Sequence, residues 1–228
     1  MKSRSTLVVA AHPDDEVLGC GGTIHRLAQS GTDVNIVFLS DGVSSRSSNE
    51  DNNKMELDER RKSAIEASKI LGANTPTFHD FPDNQLDTVP LLGIVKLIET
   101  EINRYGPDTV ITHFGNDLNI DHRIASEAVI VACRPQNSSP VKRVLFFEIP
   151  SSTEWQMENG QPTFSPNYFI DISEHLEFKL RALHCYSTEL RTWPHSRSLE
   201  AVEHLCRWRG ASVGTTAAEA FVLGRQIS

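Results

Sequence analysis

One short block of the chain concentrates groups that can bind a metal and move a proton. It is Ala11-His12-Pro13-Asp14-Asp15-Glu16, directly behind the apolar run Leu7-Val8-Val9-Ala10. A buried strand followed by a turn delivers one imidazole and two adjacent carboxylates to one place. His12 and Asp15 are suited to ligate a zinc-type ion. Asp14, pointing elsewhere, is placed to take a proton from metal-activated water. The plainer alternative is a polar turn in which an Asp caps a helix. The His-Pro-Asp-Asp-Glu order, its place behind a strand and the glycine-rich helix start that follows favour the metal.

A catalytic zinc usually takes three protein ligands and keeps one position open. The best third ligand is His122, where the loop Gly115-Asn116-Asp117-Leu118-Asn119-Ile120-Asp121 enters a helix. Asp121 is placed either to orient an imidazole or to cap that helix.

The elements that must position these groups alternate between strand and helix patterns. Strands are expected at 7–11, 34–39, 77–79, 108–113, 143–149 and 168–172, and helices at 23–30, 55–71, 90–105, 122–133, 176–186 and 199–208. The polar stretch 41–54 lacks apolar periodicity and reads as a loop, either a solvated connection or a lid. Repeated βα units predict a Rossmann-like α/β/α sandwich with a mostly parallel sheet, and ligands at the carboxyl ends of the strands. The turn at His12 and the 112–122 loop should open on that same edge.

At 228 residues, with no linker or repeat, the chain is expected to form a single domain, 1–228. A net charge of −8 argues against a nucleic-acid binder. The run after residues 1–6 is too short for a signal core, and no apolar stretch reaches the roughly 18 residues of a membrane span. Cys20, Cys133, Cys185 and Cys206 are scattered and form no metal-binding pair. These features predict a cytoplasmic protein with reduced thiols. A dinucleotide-binding fold is rejected. The glycine fingerprint is absent, and Asp14, Asp15 and Glu16 stand where a pyrophosphate needs a favourable field.

The chain resembles the PIG-L/LmbE-like family of zinc-dependent N-deacetylases. The resemblance is carried by the His12–Glu16 block with Gly19, Gly21 and Gly22, and by Asp121-His122-Arg123. Arg60, Phe81-Pro82-Asp83 and Ala218-Glu219-Ala220-Phe221 support it. It implies the fold expected above, zinc or another divalent ion on His12, Asp15 and His122, and Asp14 as general base. It also implies an N-acetylated amino sugar such as an N-acetylglucosamine derivative as substrate, and a homo-oligomer. Arg60, Asp83 and Arg123 are expected on the substrate side, Arg60 either touching substrate or supporting those that do.

Many family members carry His three residues before the last zinc ligand, where this chain has Asn119. Asn can donate a hydrogen bond but cannot shuttle a proton. Either Asn119 stabilises charge alone, or another histidine acts as the acid. His195 is the preferred substitute and His113 the other choice.

Trp155 can stack on a sugar ring or cover the core. The segment 191–209 contains Arg191, Arg197, Arg207 and Arg209, which fit either phosphate recognition or salt bridges with Glu200 and Glu203. Several blocks resemble a family branch associated with bacterial surface-sugar synthesis, among them Asn119–Arg123 and Ser151–Trp155. That branch implies a nucleotide-linked or phosphorylated sugar. Two rivals stay open: a non-catalytic metal- and sugar-binding homologue, and an amidase acting on another amide such as a thiol conjugate.

Overall fold

Strand, turn and helix alternate through the computed structural model, which describes residues 3–42, 50–136, 139–158 and 160–228, with backbone only at 50–54. The order is β1 (Ser5–Ala10), α1 (Asp15–Gln29), β2 (Asp33–Ser40), α2 (Glu50–Leu71), β3 (Thr77–Phe81), α3 (Leu91–Tyr105) and β4 (Thr109–His113). It continues with α4 (Ile120–Ala132), β5 (Arg143–Phe147), β6 (Tyr168–Asp171), α5 (Leu176–His184), α6 (Leu199–Ala211) and β7 (Ala218–Gln226).

The seven strands lie in the order β3-β2-β1-β4-β5-β7-β6. From β3 to β5 every pairing is parallel, while β7 runs antiparallel to both β5 and β6. Alternate side chains leave a strand on opposite faces. Val8 and Ala10 join a core with residues of α1, α2, α5 and α6. Leu7 and Val9 join a second core with residues of α3 and α4. Burial on both faces explains why β1 reads as an unbroken apolar run. The result is the three-layer α/β/α sandwich with a mostly parallel sheet that the sequence predicts.

Strand order reverses between β1 and β4, which are neighbours in the sheet. Such a switch opens a crevice at the carboxyl ends of the strands. The turn after β1 and the loop after β4 both lead into it.

Three elements differ from expectation. Helix α1 begins at Asp15, not at residue 23, and kinks at Cys20 (φ −149°, ψ 25°). Its glycines serve close packing: a Cβ on Gly19 would overlap the Phe147 ring, and one on Gly22 would lie 2.8 Å from Ile172 Cδ1. After the kink, the Glu219 carboxylate accepts the N–H groups of Gly22 (2.9 Å) and Thr23 (2.7 Å), and Lys179 Nζ donates to it at 2.6 Å. The second difference is β7, a strand the sequence pattern did not reveal, which enters the sheet antiparallel between β5 and β6. The third lies in 41–54, where α2 already begins at Glu50; the rest of the expected loop or lid, residues 43–49, lies outside the described residues. No helix among the described residues is long and apolar enough to cross a membrane.

Candidate metal centre

The turn after β1 places His12, Asp14 and Asp15 at the switch point, all buried. The loop after β4 brings His122 to the same place. Ligand atoms of His12, Asp15 and His122 all lie within 4.8 Å of one another.

Neighbouring carboxylates decide which ring nitrogens face the cluster. His12 Nε2 lies 3.0 Å from Asp121 Oδ2 and 3.1 Å from Asp83 Oδ1. Carboxylates only accept, so Nε2 carries the proton and Nδ1, 3.3 Å from Asp15 Oδ2, is the ligand atom. His122 Nδ1 donates to Asp117 Oδ1 at 3.0 Å, which leaves Nε2 facing Asp15 Oδ2 at 3.4 Å. Asp117 is fixed in turn by the hydroxyls of Ser152 and Thr153. Each imidazole thus has a carboxylate behind it, the arrangement that orients metal-binding histidines.

Asp15 Oδ1 and His122 Nε2 are buried and have no hydrogen-bond partner. Leaving such groups unpaired costs about 1–3 kcal/mol each. One nitrogen from each histidine and a carboxylate are a fitting donor set for zinc, and a divalent ion would satisfy both orphans. The electrostatics agree. Burial opposes charge on His122, but Asp15 and Asp117 outweigh it and push its pKa up to about 9. His12 is likewise held well above its usual value: burial opposes, but hydrogen bonds to Asp121, Asp15 and Asp83 prevail. Burial works against ionised Asp15 as well, yet the His122 charge and the hydrogen bond with His12 keep its pKa well below the usual range. A field that holds protons on two imidazoles is also one that favours a cation between them.

Asp14 lies at the N-cap position of α1, but its side chain caps nothing there, which removes the plainer reading of the motif. Its φ of 119° is a left-handed value that few non-glycine residues adopt. Its Oδ2 accepts from Arg197 Nη1 at 3.0 Å and lies 3.8 Å from Arg60 Nη1. Burial raises its pKa to about 6 against the pull of Arg197. A carboxylate poised there is matched to proton transfer near neutral pH.

The chain matches the family model described as PIG-L: GlcNAc-PI de-N-acetylase over residues 7–133, a span that includes every residue of the metal cluster. The protein belongs to the PIG-L family. This is a family of metal-dependent deacetylases acting on N-acetylated sugars. Diacetylchitobiose deacetylase of Thermococcus kodakarensis is 33% identical to this PIG-L protein over 201 residues, 82% of this chain and 70% of that one. A 4-oxalmesaconate hydratase of Pseudomonas putida is 29% identical over 207 residues, 84% and 76% of the two chains. The crystal structure of the conserved protein TT1542 from Thermus thermophilus superposes with a TM-score of 0.76 at 27% identity, covering 98% of this chain and 96% of that one.

Other expected site residues of this PIG-L protein fall into two groups. Arg197 reaches Asp14, and His195 and Trp155 follow behind it in a chain of contacts. Arg197 Nε donates to Ser151 Oγ at 2.8 Å, and its backbone N–H donates to His195 Nδ1 at 3.0 Å. Trp155, 48% exposed, meets the His195 ring edge-on at 5.4 Å.

The second group is held by contacts within the protein. Asp83 is 2% exposed and faces His12, its Oδ1 3.1 Å from Nε2. Arg60 is 6% exposed; it donates to Pro13 O and Gly42 O and pairs with Glu189, supporting the Asp14 turn from behind. Arg123 donates to Asp117 O and Leu118 O and lines a separate cavity of 1030 Å³ beside α4. Asn119 caps α4: its Oδ1 accepts from Asp121 N–H, and its Nδ2 donates to Asn84 Oδ1. Asp121 is therefore not the cap but the partner of His12. His113 is fully buried beneath His122, and its Nε2 accepts from Ala11 N–H at 2.9 Å. Burial and the His122 charge push its pKa well down, so its ring is neutral and poorly placed to serve as the acid.

The arginines of 191–209 are also committed. Arg209 forks onto Glu148, Arg207 pairs with Glu203, and Arg191 donates to the carbonyls of Thr188 and Leu190. Asp117, Tyr186 and Glu189 were not singled out from the sequence. Only Asp117 had a local signal, an acid five residues before a candidate ligand on a helix-entry loop.

Proposed function

We propose that this chain removes the acetyl group from an N-acetylated amino sugar, using zinc or another divalent ion held by His12, Asp15 and His122. The observation that carries this reading is the division between adjacent carboxylates. Asp15 faces both histidine rings, while Asp14 faces Arg197 and belongs to no ligand group.

When bound, zinc supplies Lewis acidity that polarises the amide carbonyl and makes water nucleophilic near neutral pH. The Asp14 carboxylate takes the proton of the attacking water. It then returns that proton to the leaving nitrogen, because an amide anion is a very poor leaving group. Arg197 keeps Asp14 Oδ2 in place through a charge-assisted hydrogen bond. His195 accepts the Arg197 backbone N–H at Nδ1, so in this reading its Nε2–H gives a hydrogen bond to developing charge and the proton transfers stay with Asp14. Asn119 supplies at most an Nδ2–H bond to developing charge, exchanged from Asn84. Trp155 gives the sugar an aromatic face.

A phosphorylated or nucleotide-linked substrate draws less support from the structure than from the sequence. The arginines expected to recognise phosphate are paired with Glu148, Glu203 and backbone carbonyls. Arg197 is the member of that segment that reaches the site. A free or glycosidically linked amino sugar therefore suits the site better.

The test is acetate release by zinc-loaded protein from N-acetylglucosamine, its 1-phosphate, its nucleotide diphosphate conjugate and N,N′-diacetylchitobiose, with and without chelator. Chelator-sensitive release from one of them is expected. No release from any, with zinc shown to be bound, would turn the reading toward another amide, a binding protein, or the hydration chemistry for which the Pseudomonas relative is named.

A further inference from the structure

The peptide unit between Pro13 and Asp14 is gripped at both ends. Its carbonyl oxygen, Pro13 O, accepts from Arg60 Nη1 at 2.8 Å. Its amide, Asp14 N–H, donates to Glu16 Oε2 at 3.0 Å. Both grips are themselves anchored from one segment just beyond α5. The Tyr186 hydroxyl donates to Glu16 Oε1 at 2.6 Å, and Glu189 pairs with Arg60 Nη2 at 2.5 Å. Glu16, Tyr186, Arg60 and Glu189 are all buried.

A peptide plane has one soft rotation on each side, and fixing both its oxygen and its hydrogen removes them. The φ of Asp14 is one of those rotations, and it stands at 119°. A non-glycine residue keeps such a value only when its surroundings over-determine it. Within the same turn, Asp15 N–H donates to His12 O, and Val17 and Leu18 N–H donate to Asp14 O. The bonds to Asp14 O fix the helix start, and the Asp15–His12 bond closes a turn around the Pro13–Asp14 peptide, a bond that turns of either central-peptide orientation can make. The orientation of the Pro13–Asp14 plane is left to Arg60 and Glu16.

We infer that Glu16 and Tyr186 are positioning residues, one arm of a clamp on the Pro13–Asp14 peptide that aims the Asp14 carboxylate. The inference rests on the reading of Asp14 as general base. Glu16 reaches the reaction only through the backbone of Asp14. It makes no bond to His12, Asp15 or His122 among the described contacts.

Three variants test it: Glu16→Leu, Glu16→Gln and Tyr186→Phe, assayed on zinc-loaded protein with N,N′-diacetylchitobiose and N-acetylglucosamine, with zinc content measured on each sample. A misplacement of about 1 Å at a reacting group can cost about 10²-fold. Glu16→Leu should therefore lower kcat by about that factor, with KM within about twofold and zinc content unchanged. Tyr186→Phe, the milder change, should lower kcat in the same direction. Glu16→Gln keeps an oxygen for the Asp14 N–H and should recover at least about tenfold of the loss. Groups that act as a unit are non-additive. Adding Glu16→Leu to Asp14→Asn should cost less than about threefold more. The same factor in both backgrounds, or lost zinc with unchanged kcat, would overturn the clamp.

Crystal structures separate this inference from the proposed reaction. Asp14 should leave its positive φ in Glu16→Leu and keep it in Glu16→Gln, whichever substrate the enzyme uses. A φ still near 119° in Glu16→Leu would overturn the clamp even if the deacetylase reading stood. Failure of the wild type to release acetate, with φ shifting as expected, would overturn only the reaction.

Discussion

Arg197 Nη1 lies 3.0 Å from Asp14 Oδ2 across 183 residues of sequence. The loop before α6 thereby closes over the turn after β1 and sets the charge beside the carboxylate assigned as base. The same guanidinium donates to Ser151, so its fork joins three segments of the chain.

Removing that fork should disturb Asp14 without touching the metal cluster. Arg197→Ala is expected to lower kcat/KM by about 10- to 100-fold, a positional loss of the kind that misaligned catalytic groups show. Arg197→Lys should recover only part of it, because an ammonium cannot reproduce the planar fork. Steady-state kinetics on the substrate that releases acetate, with zinc content measured in parallel, checks this. Loss of zinc in either variant would show that Arg197 supports the centre itself.

Asp117 offers a test of the opposite kind. It holds His122 Nδ1 at 3.0 Å and is fixed by Ser152 and Thr153. Burial works against its charge, but His122 and the two hydroxyls keep its pKa below the usual range. Partners behind a metal-binding histidine typically contribute about 10–100-fold in metal affinity. Asp117→Ala should therefore weaken zinc binding by that factor, read by competition with a chelator of known affinity. Unchanged affinity would mean that stacking on the His113 ring is enough to orient His122.

Far from the site, Asp108 ties the start of β1 to β4. It accepts from Ser3 Oγ at 2.5 Å and from Arg4 N–H at 2.7 Å. Partial burial raises its pKa, but these bonds and one from Thr109 outweigh it and lower the value overall. A carboxyl whose pKa is lowered by folding stabilises the protein above its unfolded pKa, about 3.9 for Asp, and that stability is lost as pH falls through the folded value. Because the group is partly exposed, its share is discounted to about 0.5–1 kcal/mol. Asp108→Asn should lower Tm at pH 6 and narrow its gap to wild type below about pH 4. A constant gap across that range would remove the ionic part of the explanation.

What was legible in the sequence follows from where the information lies. His12, Asp14 and Asp15 share one turn behind an apolar strand, so their chemistry could be read locally. The parallel core was readable for the same reason: β1 is a continuous apolar run, and β2 and β4 are centred on branched apolar residues. Helix α1 was misjudged because Gly19, Gly21 and Gly22 resemble a loop until the rings and branches they face, Phe147 and Ile172, are known. Asp83 and Arg60 look like exposed polar residues in sequence, and only folding buries them against His12 and Glu189. Tyr186 is 170 residues from Glu16, and no spacing rule joins them. Asn119 carried a correct local signal, an N-cap preceding a helix, which its position relative to His122 obscured.

The central claim is that Asp14 moves protons while His12, Asp15 and His122 hold the metal. It is tested most directly by measuring zinc content and kcat on the same preparations of wild type, His12→Ala and Asp14→Asn. His12→Ala should lose zinc and activity together. Asp14→Asn should keep a full equivalent of zinc and lose about 10²–10⁴-fold in kcat, the range for removing a general base. Wild-type turnover by zinc-loaded Asp14→Asn, or loss of its zinc, would contradict the account.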